Sequence, residues 1–98
     1  MNSGEDMANV TVVLRPYLMG FAGGRGEVSG VGETLGEVLK NLGAEFPSLG
    51  HHVLELEHGV ALGVRVHVND VVVSFPGALS TPVKDGDRVR LLLAIGGG

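Results

Sequence analysis

Cysteine and tryptophan are both missing from this chain of 98 residues, and aromatic residues make up only 4% of it. Without cysteine the protein has no disulfide and no thiol nucleophile, so any sulfur chemistry must use an atom that is not a side-chain thiol. Long apolar runs are missing as well, and the opening stretch MNSGEDMANV is acidic and polar, unlike a signal peptide. These absences exclude disulfide-rich secreted scaffolds and cysteine-dependent enzymes, and they predict a cytoplasmic protein that does not enter the membrane.

Positive charge is also scarce, with seven lysines and arginines against eleven aspartates and glutamates and a formal net charge of −4. Proteins that bind nucleic acid present a basic surface to the phosphates, so we do not expect nucleic acid as a partner. The histidines are His51, His52, His58 and His67. They have neither an HExxH spacing nor cysteine co-ligands, so we expect solvated surface residues and no metal site.

The apolar residues that the chain does contain are enough for one core. Hydrophobic residues make up 44% and charged residues 18%, which is typical of a globular domain that folds without a metal or disulfide. We expect residues 1–7 to form a flexible leader, in which Met7 is a second candidate start site beside Met1. Residues 8–95 are then the single folded domain, and residues 96–98 are a flexible glycine tail. The sequence leaves the oligomeric state open.

The first half of the chain predicts two strands and a helix. NVTVVLRP alternates in the manner of a strand that Pro16 closes, and EVSGV predicts a short second strand after the loop YLMGFAGGRGE. In TLGEVLKNLGAEFP, Thr34 and Glu37 have the spacing of a capping box, and Pro47 supplies the helix stop. An apolar stripe recurs along this helix at helical intervals: Leu35, Val38, Leu39, Leu42 and Phe46.

The second half predicts three strands joined by tight turns. VRVHVND alternates valine with Arg65 and His67, and the dipeptide Asn69-Asp70 indicates a turn into a short strand over residues 71–73. SLGHHVLELEHGVALG is predicted as one short helix and a loop, and FPGALSTPV as a loop. KDGDRVRLLLA begins with a turn at Asp85-Gly86 and continues as a strand that is apolar on both faces from Leu91, as central strands are. The aspartates of that turn are interpreted as turn formers, not as paired catalytic carboxylates.

The order of two strands, one helix and three strands predicts a two-layer α+β fold. A lone amphipathic helix buries its stripe only by lying across the sheet. Gly36 and Gly43 each weaken this helix by about 1 kcal/mol relative to alanine, so packing must stabilise it. If the first and last strands are the central, parallel pair, the C-terminus leaves the middle of the sheet and projects outward. That arrangement is a β-grasp: a mixed sheet with one main helix packed across it.

Several stretches together resemble the ubiquitin-like sulfur-carrier proteins of the ThiS/MoaD family. They are GETLGEVL at the helix start, VHVND, and GALSTPVKDGDRVRLLLAI followed by the terminal diglycine. The resemblance is densest over residues 64–98 and thinner over residues 10–46, and residues 48–63 match nothing in detail. It implies the ubiquitin-like form of the β-grasp fold.

The resemblance also implies a carrier that is not itself an enzyme. Its C-terminal glycine is adenylated by an ATP-using, ubiquitin-activating-type adenylyltransferase and sulfurtransferase, and it is then converted to a thiocarboxylate that passes sulfur to a biosynthetic enzyme. By position, Gly97 and Gly98 are the diglycine, and Gly98 bears the sulfur. The chain is expected to bind no cofactor, because GGRG lacks the spacing and the lysine of a phosphate-binding loop and the ATP must sit on the partner.

A tail without side chains suits insertion into a narrow site, because glycine has no Cβ and allows close approach. Ile95 and Gly96 form the approach to the diglycine, and residues 95–98 reach about 13 Å when extended at 3.3 Å per residue. One side of the sheet is expected to be free of the helix. A partner-docking patch is predicted there, formed by Phe75, Leu91 and Leu93.

Other functions stay open on the sequence. The chain is alternatively a ubiquitin-like protein modifier conjugated to lysines through Gly98, the small subunit of molybdopterin synthase, or an interaction domain with an inert tail. The acceptor of the sulfur is also open among cysteine, a specialised metabolite, thiamin and the molybdenum cofactor. VHVND and KDGDRVRLLLAIGGG most resemble the carriers used in cysteine or specialised-metabolite synthesis.

Overall fold

The computed structural model describes residues 7–53, 64–74 and 77–93, in which a five-stranded mixed sheet carries helices on one face. The strands are β1 (Ala8–Leu14), β2 (Glu27–Gly32), β3 (Val64–Val68), β4 (Val71–Val73) and β5 (Arg88–Leu93). The helices are α1 (Pro16–Met19), α2 (Leu35–Glu45) and α3 (Pro47–Val53), and 3₁₀ turns cover Gly20–Ala22 and Gly77–Ser80. No helix in the described ranges is long and apolar enough to cross a membrane.

The strands lie in the order β2-β1-β5-β3-β4, so the first and last strands are neighbours. β1 and β5 run parallel, with Thr11 opposite Arg88 and Leu14 opposite Leu91, and the other pairings are antiparallel. The predicted α+β β-grasp with adjacent, parallel terminal strands is confirmed. β5 is paired on both of its edges and covered by helix on one face, and this position is consistent with its run of apolar residues.

The core lies between the sheet and α2. Side chains alternate across a strand, so every second residue of β1 is buried, and the predicted helix stripe meets these residues from above. Burial of each large apolar side chain favours folding by about 1.5–3 kcal/mol, so this stripe decides where the helix sits. Phe46, predicted as the last member of the stripe, lies beyond the helix end and is only half-buried. The main core residues are Val10, Val12, Leu14, Val28, Leu35, Val38, Leu39, Leu42, Val66, Val89 and Leu91.

The start of α2 has the predicted N-cap with one difference in its partner. Thr34 Oγ1 accepts a hydrogen bond from the Glu37 backbone amide at 3.3 Å. The Glu37 carboxylate accepts from the backbone amide of Glu33 at 2.9 Å, one residue before the position of a standard capping box. At the other end, Pro47 stops α2 as predicted and also occupies the first position of α3, where a missing N–H costs nothing.

Two close contacts explain the glycines inside α2. A Cβ on Gly36 would lie 2.9 Å from the carbonyl oxygen of Leu79, so glycine lets the 3₁₀ turn Gly77–Ser80 approach the helix. A Cβ on Gly50 of α3 would lie 3.0 Å from the Cα of Gly43 of α2, so the two helices come into close contact at these glycines. The low helix propensity of these glycines is therefore offset by tertiary packing on both sides of α2.

Two segments predicted as loops contain ordered turns. YLMGFAGGRGE holds most of α1 and a 3₁₀ turn, which bury Leu18 and Ala22, and FPGALSTPV holds a 3₁₀ turn that buries Ala78. The predictions of loops missed these short helical turns, because isolated apolar residues between glycines do not show a helical period. The short helix predicted after residue 48 is confirmed as α3. The predicted leader, apart from Met7, and the predicted glycine tail lie outside the described residues.

Candidate functional site

The C-terminal tail continues from the middle of the sheet. β5 ends at Leu93, with parallel β1 on one side and antiparallel β3 on the other, where Val64 lies opposite Leu93. Residues 94–98 follow without any further described element. The predicted site residues Ile95, Gly96, Gly97 and Gly98 lie outside the described residues.

The opposite end of β5 is tied to the β3–β4 hairpin through Asn69. Asn69 and Asp70 have φ of 51° and 71°, the left-handed pair required by a two-residue type I′ turn. The Asn69 backbone amide donates a hydrogen bond to the Arg88 carbonyl oxygen, and the Arg88 backbone amide donates one back to Asn69 Oδ1, both at 2.9 Å. These two bonds fix the register between the hairpin and the strand that leads to the tail.

Asp87 completes this junction. One carboxylate oxygen accepts from the Asn69 side-chain amide and the other from the Lys84 backbone amide, each at 2.9 Å. Two hydrogen bonds hold the pKa of Asp87 below its ordinary value, because both favour the ionised form. The larger effect comes from the Asn69 side chain and the smaller from the Lys84 backbone amide. Neighbouring Asp85 accepts from the Asn9 amide at 2.7 Å, and Gly86 has the positive φ of 89° that the turn requires. This turn matches the prediction that Asp85 and Asp87 form a turn.

These contacts give a role to the motifs that carry the family resemblance. VHVND supplies Asn69, and KDGDRV supplies Lys84, Asp85, Asp87 and Arg88, so the two motifs meet at one junction. The junction lies at the start of β5, whereas the tail follows its end. The two motifs therefore serve, within the fold, to hold in position the strand that the tail follows.

The sheet has a second face, which we call the open face, on the side away from α2. On β5, Val89 and Leu91 point into the core, so Arg88, Arg90 and Leu92 lie on the open face. Arg88 pairs with Glu27 at 3.1 Å and Arg90 with Asp70 at 3.3 Å. The remaining open-face residues are Asn9, Thr11, Val13, Ser29, Val31, Arg65, His67 and Val72.

The docking patch predicted from the sequence includes one residue, Leu91, for which the prediction is wrong. Leu91 is fully buried beneath α2 and takes no part in an exposed surface. Phe75 and the side chain of Leu93 lie outside the described residues. The open-face leucine of β5 is instead Leu92, which is half-buried. The alternation of Arg88, Val89, Arg90 and Leu91 would have identified this face, because Leu92 continues the row of the arginines.

A shallow cavity and the histidines are the remaining candidates for a ligand site. The cavity, of about 140 Å³, is lined by Asn69, Asp70, Arg88 and Arg90, and the ion pair between Asp70 and Arg90 lies along its wall. Within the described ranges no three His, Cys, Asp or Glu side chains group as metal ligands do. His51 is exposed and His67 is half-buried on the open face, whereas His58 and the side chain of His52 are not described.

Similarity to known proteins extends over nearly the whole chain. Residues 18–98 match the family model of the ThiS family. The sulfur carrier protein CysO of Mycobacterium tuberculosis is 37% identical over 92 residues, which cover 92% of this chain and 99% of that protein. The crystal structure of Mycobacterium tuberculosis CysO has a TM-score of 0.77 at 34% identity and covers 88% of this chain and 99% of its own.

Two further structures match equally well. A chain in the crystal structure of the Amycolatopsis orientalis BexX/CysO complex has a TM-score of 0.80 at 31% identity, and the match covers 91% of this chain and 99% of that one. The small archaeal modifier protein 1 of Methanosarcina acetivorans has a TM-score of 0.80 at 26% identity, covering 94% and 98%. The TM-scores of these three structures show that they have the same overall fold as this chain.

Proposed function

Because the chain belongs to the ThiS family and works as a sulfur carrier, we propose that Gly98 is the residue that carries the sulfur. Its carboxylate is adenylated by a partner enzyme and then converted to a thiocarboxylate. The observation that carries this proposal is the family match over residues 18–98, which runs to the terminal glycine itself. The chain acts as the substrate of its partners, in the cytoplasm, and not as an enzyme.

The position of β5 supports this role. The strand is central, with β1 paired as far as Leu91 on one side and β3 paired as far as Leu93 on the other. Gly96, Gly97 and Gly98 have no side chains, so they allow the close approach that a narrow active site demands. A rigid base with a thin terminus is a suitable geometry for presenting a carboxylate to a second protein.

The chemistry requires activation of that carboxylate. An α-carboxyl group has a pKa of roughly 3.3–3.7, so at neutral pH it is an anion that nucleophiles do not attack. One carboxylate oxygen attacks the α-phosphorus of ATP and expels pyrophosphate, forming an acyl adenylate. A hydrosulfide equivalent from the sulfur donor then attacks the carbonyl carbon and expels AMP, which leaves the thiocarboxylate. No step is an oxidation or a reduction of the chain.

The proposed partners follow from this sequence of steps. ATP and the sulfur donor are held by a ubiquitin-activating-type adenylyltransferase and sulfurtransferase, because this chain has no phosphate-binding loop. The thiocarboxylate then meets a sulfur-accepting biosynthetic enzyme. The CysO of Amycolatopsis orientalis is in complex with BexX, which supports a protein partner for this chain as well.

Intact-mass spectrometry tests the proposal. The chain is incubated with the adenylyltransferase of its own organism, ATP and sulfide, and we expect its mass to rise by roughly 16 Da as sulfur replaces one oxygen, since no thiol is present to take up sulfur instead. A sample without ATP is the control. If the mass stays unchanged with an enzyme that is active on another carrier, the proposal fails.

One observation favours a second function, a protein modifier. The small archaeal modifier protein 1 matches this chain with a TM-score of 0.80 at 26% identity. The same acyl adenylate would then lead to an isopeptide bond between Gly98 and a lysine of a target protein. Tryptic peptides from the native host distinguish the two functions. Trypsin cuts this chain last after Arg90, so lysines that bear the remnant LLLAIGGG would establish the modifier, and a terminal thiocarboxylate would establish the carrier.

A further inference from the structure

Two arginines lie on either side of the strand from which the tail leaves. Arg65 on β3 is directly opposite Leu92 on β5. On the other side, Leu14 is opposite Leu91 in the parallel pair, so Arg15, the residue after Leu14, comes level with Leu92. We call Leu92, Arg15 and Arg65 the tail base. Leu92 is half-buried, and both arginines are exposed.

The two arginines differ from the other arginines of the sheet in having no counter-charge among the described residues. Arg88 pairs with Glu27 and Arg90 with Asp70, whereas neither Arg15 nor Arg65 forms an ion pair or a side-chain hydrogen bond within the described ranges. Charges that a protein leaves exposed and unpaired beside a functional terminus are available to a partner.

The carboxylates of the turn before β5 are distant from the tail base, and Glu27, which lies opposite Val13 on β1, is paired with Arg88. Asp85 and Asp87 belong to the turn before Arg88, which lies about 13 Å from Leu92 along β5 at 3.3 Å per residue. That separation exceeds the Debye length of about 8 Å at physiological salt. The chain carries a net charge of −4, but its described end next to the tail presents positive charge.

The length of the tail brings this surface against the partner. Residues 93–98, which follow Leu92, span at most about 20 Å when fully extended, at 3.3 Å per residue. A partner that encloses the carboxylate of Gly98 therefore holds the tail base within that distance of its reacting atoms. Arg15 and Arg65 must then face the rim of the opening through which the tail enters.

We propose that Arg15 and Arg65 bind an acidic rim on the activating enzyme, around the opening through which the tail enters. Leu92 makes an apolar contact with the enzyme between them. This inference rests on the proposed function and names the chemistry of the partner surface. Arginine suits such a contact because its planar guanidinium binds carboxylates through two parallel hydrogen bonds. Charge pairs at the rim of an interface act chiefly on association and on its salt dependence.

Steady-state adenylation kinetics test this docking surface. The adenylyltransferase of the same organism is assayed by pyrophosphate release, with the full chain as the varied substrate. We expect Arg15→Glu and Arg65→Glu each to raise the KM for the chain by about tenfold while kcat stays within about twofold, since the reacting terminus is untouched. The rise in KM with added salt should also be weaker in both variants than in the wild type.

Lys40→Glu is the matched control, because Lys40 is exposed on α2, in the layer opposite the open face, and the charge change is the same. Its KM should stay within about twofold of the wild type, and equal melting temperatures of all variants would exclude misfolding as the cause. If Arg15→Glu and Arg65→Glu have the KM of Lys40→Glu, the docking inference is overturned and the carrier function stands. If the wild-type chain is not adenylated at all, both proposals fail.

Discussion

Asn69 donates a hydrogen bond from its side-chain amide to Asp87 Oδ1 at 2.9 Å, joining the β3–β4 hairpin to the residue that precedes β5. The same side chain accepts a hydrogen bond from the Arg88 backbone amide, so one asparagine contacts two consecutive residues at the start of β5. Since β5 leads directly to the tail, the contact sets the register of the strand that presents the terminus. The junction thus holds β5 at the end of the strand opposite to the one that the tail follows.

Asn69 should contribute through both its hydrogen bonds and its backbone. Asn69→Ala removes the side-chain bonds and places alanine at a φ of 51°, so we expect a loss of about 1–3 kcal/mol in the free energy of unfolding. Asn69→Gly removes the same bonds without the left-handed strain, which amounts to about 1–2 kcal/mol, and should be the milder change. Urea denaturation measures both. Equal losses in the two variants would mean that the backbone conformation is not strained.

The lowered pKa of Asp87 predicts acid sensitivity. A carboxylate whose pKa is lower in the folded state stabilises the fold above its unfolded pKa, near 3.8, and loses that contribution as the pH falls through its folded pKa. Asp87→Asn should therefore have a lower melting temperature than the wild type at about pH 7, and the difference should shrink towards about pH 2.5. Thermal melts across this range test the prediction. A difference that stays constant with pH would contradict it.

Leu39 should be among the most costly residues to truncate. It lies mid-helix in the stripe of α2 and is 2% exposed, so Leu39→Ala leaves a cavity in the core. We expect a loss of about 2–5 kcal/mol in the free energy of unfolding by chemical denaturation. Val72→Ala, at a residue that is 54% exposed on the open face, is the control and should change stability by under about 0.5 kcal/mol. A loss below about 1 kcal/mol would place Leu39 outside the core.

Gly36 should resist a substitution that favours helices. Alanine has the higher helix propensity by about 1 kcal/mol, but its Cβ at position 36 would lie 2.9 Å from the Leu79 carbonyl oxygen. We expect Gly36→Ala to destabilise the protein by about 1–3 kcal/mol, because the 3₁₀ turn must move away. Gly20→Ala is the control, since a Cβ there meets nothing within 4 Å. If Gly36→Ala were stabilising, the close packing at this point would be refuted.

The tail should be required for function and dispensable for folding. Deletion of Gly97 and Gly98 should abolish the mass increase on incubation with the activating enzyme, ATP and sulfide. Its melting temperature should equal that of the wild type, because residues without side chains bury little apolar area. Gly97→Val should also block the reaction, since a β-branched side chain widens the tail and restricts its backbone. Retention of the mass shift in the deletion variant would place the sulfur elsewhere.

Local interactions made much of this protein predictable. The start of α2 at Thr34 depends on residues within one helical turn, and the hairpin turn at Asn69-Asp70 on two adjacent residues, so both were identified from the sequence. The alternation of β1 and β3 likewise reflects a period of two that is independent of neighbours. The order of these elements and their apolar faces then restricted the topology to the β-grasp that the strand order confirms.

Contacts between distant residues were decided only by the tertiary structure. The Asn69–Asp87 bond joins positions 18 residues apart, and the need for glycine at position 36 comes from Leu79. Leu91 and Leu92 are identical in type, yet one is core and the other lies on the open face, because the pairing with β1 and β3 sets which side of β5 meets α2. The sequence by itself determined the five strands, the main helix and the chemically bare terminus, since these depend on local backbone preferences and residue type. Register and packing alone placed Arg15 and Arg65 beside the strand from which that terminus leaves.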